Sequence, residues 1–74
     1  MAFSRGDLTE AKRQIDSTLH KLRQTVSTLQ AKERPERYRP QITLALRRIR
    51  AFEIAAHLIE DELSRTGDPD QKGG

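Results

Sequence analysis

The chain has 74 residues, 34% of them hydrophobic and 34% charged, with three aromatic residues, no cysteine and a net charge of +3. That length admits one domain with a small core. The composition excludes disulfides and thiolate metal sites, and no segment approaches the roughly 20 consecutive apolar residues of a membrane span.

The first helix has a marked start. Ser4 is the expected N-cap, with Asp7 at the N3 position of a capping box and with Phe3 and Leu8 at the two positions of a hydrophobic staple. Asp7 and Glu10 suit the positive end of the helix dipole. Leu8, Ala11, Ile15, Leu19, Leu22, Val26 and Leu29 recur at spacings of three and four, the period of one helix face. A helix over about 5–32 is predicted. The stretch 1–6 lacks the apolar run of a secretory signal, which leaves the cytoplasm as the expected location.

A connection over about 33–39 follows. Pro35 and Pro40 each disfavour α geometry in the residue before them, Arg34 and Arg39. Pro40 suits the first position of a helix, and a single turn fits at Pro35–Tyr38. The second helix is predicted over about 40–65, carried by Ile42, Ala45, Ile49, Phe52, Ala56, Ile59 and Leu63, whose alternating three and four spacing is a heptad pattern. Gly67 is a natural residue past its end and Pro69 a natural stop. The tail, 67–74, is expected to be disordered, so that 1–66 forms the single domain.

The two apolar series mirror each other. Paired from the outside inward, their residue numbers sum to 71 in six pairs and to 70 for Ala11 with Ile59. Two helices folded antiparallel about residues 35–36 would bring every pair level. Ile15 would face Ala56, Val26 would face Ala45, and Leu19 would meet Phe52, an alternation of sizes that lets a two-helix seam close. The predicted class is all-α, a coiled-coil-like antiparallel hairpin. A core of fourteen side chains is small for the length of chain it must order, so self-association is the expected supplement.

The second helix carries a further stripe. Leu44, Ala51, Ile54 and Leu58 centre about 145° around the helix from the seam, with Ala55 beside them and Leu46 flanking the seam. A helix apolar on two sides calls for cover on both. The charges point the same way. Residues 32–50 hold seven basic and two acidic residues, which makes the turn end basic. Glu60, Asp61 and Glu62 lie near the end of helix 2, beside Asp7 and Glu10 of helix 1, and make the open end acidic. Both placements on helix 2 oppose its dipole. A second hairpin laid antiparallel would match basic end to acidic end, giving a two-fold dimer and a four-helix assembly. The expected partner is therefore a second copy or another helical protein.

Other chemistries are weaker on residue grounds. Asp16 with His20 and Glu53 with His57 are carboxylate and histidine four residues apart, a pairing that bundle metal sites use. The mirror, however, separates the two histidines by about 9 Å along the axis, so no metal site is expected. No nucleophile and base pairing or glycine-rich phosphate loop is present, and neither an enzyme nor a cofactor or small-molecule substrate is expected. Arg34, Arg37, Arg39, Arg47, Arg48 and Arg50 could neutralise phosphates, and Tyr38 among them could stack on a base. Nucleic-acid binding at the turn end is thus the alternative reading. The arginines gather at one end rather than along a polar face, which does not suit a membrane-surface helix. Arg5, Gly6 and Asp7 spell an adhesion tripeptide but belong to a helix start, and Gly73 with Gly74 reads as a flexible end.

In outline the expected hairpin resembles the Rop type of plasmid copy-number regulator, a short two-helix hairpin that dimerises into a four-helix bundle and binds RNA. The resemblance is one of architecture; no motif matches residue by residue and no functional residue is carried over.

Overall fold

In a computed structural model the described residues, 3–65, form two antiparallel helices, α1 (Arg5–Gln30) and α2 (Arg39–Arg65), joined through a 3₁₀ turn at Pro35–Tyr38. The expected helix end at Gly67 and Pro69, the domain limit at 66 and the tail 67–74 lie outside the described residues.

The start of α1 follows from Ser4. Its backbone is extended, its Oγ accepts the Asp7 N–H at 3.0 Å, and its own N–H donates to Asp7 Oδ2 at 3.4 Å. Two of the donors that a helix start leaves unpaired are so satisfied. Leu8 N–H then closes the first turn on Ser4 O at 3.0 Å. Phe3 is 64% exposed whereas Leu8 is buried, so the expected staple encloses little of the phenyl ring. Leu8 belongs instead to the contact with α2.

The connection differs from expectation at both helix ends. α1 stops at Gln30, two residues early, because its last turn tightens: Ala31 N–H donates to Ser27 O and Thr28 O, and Lys32 N–H to Leu29 O. Such bonds occupy carbonyls that would otherwise be orphaned. Arg34 lies outside the α region at φ −126°, ψ 77°, which the residue before Pro35 is biased to avoid. Arg39 is not. It lies in the α region at φ −54°, ψ −45°, its N–H donates to Glu36 O, and it opens α2 one residue before Pro40. The 3₁₀ turn feeds straight into α2, and the bonded N–H of Arg39 outweighs the pre-proline bias. Pro40 sits in the first turn, where its missing N–H is not needed.

All fourteen mirrored residues are withdrawn from solvent. Leu8, Leu19 and Val26 of α1 and Ala45, Ile49 and Ala56 of α2 are buried, and the other eight are half-buried. Leu19, Val26, Ala45 and Ile49 make the central cluster, with Ile15, Leu22, Ile42 and Phe52 packed on it. Among the described residues, polar ties cross between the helices at successive levels. Arg5 Nη1 donates to Leu63 O at 3.0 Å, Lys12 Nζ meets Glu60 at 3.1 Å, and Arg23 Nη2 meets Glu53 at 2.7 Å. The seam is nevertheless shallow. No described side chain is completely buried, because each helix has only one neighbour. No described helix is long and apolar enough to cross a membrane.

Candidate interaction surface

The second stripe of α2 lies in solvent. Leu44 is 48% exposed, Ile54 46% and Leu58 61%, and Ala51 is exposed between them. No α1 residue reaches across to cover them, because the seam takes the opposite side of α2. Helical spacing sets Leu44, Ala51 and Leu58 in one line, seven residues apart, with Ile54 beside it and half-buried Ala55 on its other flank. Removing such a strip from water is favourable at about 25 cal/mol per Å² of apolar surface.

Ile54 and Leu58 also form one wall of an open cleft lined by Arg50, Glu53 and His57. Glu53 and His57, the carboxylate and histidine of a possible ligand pair, line this cleft instead. Their four-residue spacing, in step with that of Ile54 and Leu58, is the signal that could have placed all four along one groove. The carboxylates beside both histidines are engaged by cations. Asp16 accepts from Lys12 Nζ at 2.7 Å and Glu53 from Arg23 Nη2 at 2.7 Å. Among the described residues no group of three or more histidine, cysteine, aspartate or glutamate side chains is placed to hold a metal. Lys12 lies between Asp16 and Glu60. The hydrogen bond to Asp16, then that to Glu60, raises its ammonium above the usual lysine value of 10.5.

The six arginines of the turn end are all exposed. Arg34 precedes the 3₁₀ turn, Arg37 lies in it and Arg39 opens α2. Lys32, Glu33, Arg34, Arg37 and Tyr38 surround a shallow depression there, and Tyr38 is half-buried. Arg47, Arg48 and Arg50 lie two to three turns further on. At about 100° per residue they fan over roughly 160° of the helix surface, so they form no single track for a phosphate backbone. Arg50 approaches Glu53 at 3.9 Å. No described carboxylate pairs with Arg47 or Arg48, and both border the apolar stripe.

Beyond the stripe, Asp61 and Glu62 are the next residues on the same face of α2, with Arg65 paired to Glu62 at 3.4 Å. The face thus reads from basic, through apolar, to acidic along its length. No family model, curated protein or solved structure matches the chain.

Proposed function

We propose that this protein is a non-enzymatic interaction module whose hairpins self-associate through the outer face of α2. The proposal keeps the cytoplasmic setting expected from the sequence. One observation carries it: Leu44, Ala51, Ile54 and Leu58 are exposed in a helical row on a molecule whose own core is shallow. Contiguous apolar surface of this kind, bordered by charge, is typical of surfaces that other molecules cover.

The mass in solution tests the reading. Sedimentation equilibrium of the full chain at tens of micromolar should give a multiple of 8.5 kDa, and Ile54→Asp should return it to the monomer with its helicity retained. A wild-type monomer, or an Ile54→Asp variant of unchanged mass, overturns the reading. The exposed arginines of the turn favour nucleic acid as the second reading, and a parallel run with a short RNA or DNA at low salt examines it. A monomer that gains mass only with nucleic acid, and loses it steeply as salt rises, would move the function to the turn end.

A further inference from the structure

The outer face of α2 has an internal symmetry that names its occupant. Arg47 and Asp61 each lie seven residues from Ile54, and Arg48 and Glu62 each lie seven residues from Ala55. About the point between Ile54 and Ala55 the face is a palindrome with its charge inverted. A two-fold axis at that level, between the two helices, sets residue n of one chain level with residue 109 − n of the other. Arg47, Ile54 and Asp61 fall on one edge of the face and Arg48, Ala55 and Glu62 on the other, so Arg47 lies beside Asp61 of a second copy and Arg48 beside its Glu62, each twice by symmetry. Part of the apolar row fits the same register: small Ala51 faces large Leu58 and Ile54 meets Ile54 of the second copy, while Leu44 comes level with Arg65. We propose that the occupant of this face is a second copy of the chain, bound antiparallel, α2 against α2, with the axis between Ile54 and Ala55. This rests on the self-association reading above and specifies its geometry.

Three observations support a second copy rather than an unrelated partner. Opposite charges stand at equal distances on either side of the apolar centre, as an isologous contact requires. Arg47, Arg48 and Asp61 have no ion-pair partner among the described residues, while Glu62 is engaged by Arg65 at 3.4 Å and would share its carboxylate with the second copy. Asp61 and Glu62, close to the C-terminal end of α2, oppose the dipole of their own helix, and each would meet an arginine of the antiparallel neighbour. The angle of the face adds a further consequence. A square bundle asks each helix for contact faces about a quarter-turn apart, whereas the two apolar faces of α2 lie about 145° apart. The dimer is therefore a flattened four-helix layer with both α2 helices in the middle and both α1 helices outside.

Charge exchange tests the register. Arg47→Glu with Arg48→Glu, and separately Asp61→Arg with Glu62→Arg, should each raise the dimer dissociation constant at least tenfold. Mixing the two double variants should restore a dimer close to wild-type strength, because all four contacts are again opposite in sign. Circular dichroism of each variant checks that the hairpin remains folded. Cysteine linking gives an independent readout in a chain with no cysteine of its own. Ala51→Cys with Leu58→Cys should oxidise to a covalent dimer. Ala51→Cys alone should not, since its two copies would stand about 10 Å apart along the axis, beyond disulfide reach. A wild-type monomer overturns both this proposal and the reading beneath it. A dimer indifferent to the exchanges, one not restored by mixing, or one linked by Ala51→Cys alone overturns the register and leaves self-association standing. Wild-type chains that assemble only with nucleic acid overturn the choice of occupant.

Discussion

Leu19 and Leu58 are the same residue type on two helices of one hairpin, and their surroundings assign them different work. Leu19 is 5% exposed in the central cluster, while Leu58 is 61% exposed on the outer face of α2. Truncating Leu19 to alanine removes seam contacts and leaves a void, which typically costs about 2–4 kcal/mol. Urea unfolding followed by helical circular dichroism should show that loss at any protein concentration. Leu58→Ala, measured at a dilution where the chain is monomeric, should change stability by no more than about 0.5 kcal/mol. Its effect should emerge only as concentration rises. Equal losses for the two variants under dilution would mean that the outer face packs within the hairpin. The charged residues divide in the same way. Lys12, Arg23 and Glu53 fasten one helix to the other, whereas Arg47 and Arg48 stand beside the apolar strip without a described acidic partner.

At the scale of elements, the two helices are unlike. Every apolar residue of α1 belongs to the seam, whereas α2 carries the seam and an outer row besides. The start of α1 depends on one hydroxyl, and Ser4→Ala should lower stability by about 1 kcal/mol while Ser4→Asp retains most of it. Thermal melts of both variants check this, and an alanine variant that melts with wild type would show that the capping box adds nothing. Periodicity made the seam legible, because a helix must turn its repeating side toward its one neighbour, and Ser4 and Asp7 disclosed the cap. The 3₁₀ turn was legible from two prolines five residues apart. Less legible was the geometry of Arg39, where a backbone hydrogen bond to Glu36 decides against the local bias of Pro40. The tie between Arg23 and Glu53 was also hidden, since long side chains choose partners by rotamer and helix rotation, which the apolar pattern does not specify. The outer row was legible as a surplus, and its charge-inverted symmetry became visible once the row was placed on one exposed face.

For the whole molecule, the mirrored seam bears on how the hairpin forms in time. Its contacts are nested: every pair lies inside the next, from Leu29 and Ile42 near the turn out to Leu8 and Leu63. Closing the innermost pair encloses only the loop of residues 30–41, and each later pair adds a few residues to a chain already held together. The entropy of closure is therefore met mainly once, at the end that Pro35 and Pro40 stiffen. Assembly should run like a zip from the turn toward the open end, with the rapid rates of chains dominated by local contacts. Temperature-jump relaxation distinguishes the two ends. Val26→Ala should chiefly slow folding and Leu8→Ala should chiefly speed unfolding, while the opposite pattern would mean that the free ends meet first. A molecule that closes this way exposes its outer row as soon as α2 is formed, before its own termini have met. The encounter between two copies can then begin while each hairpin is still completing itself.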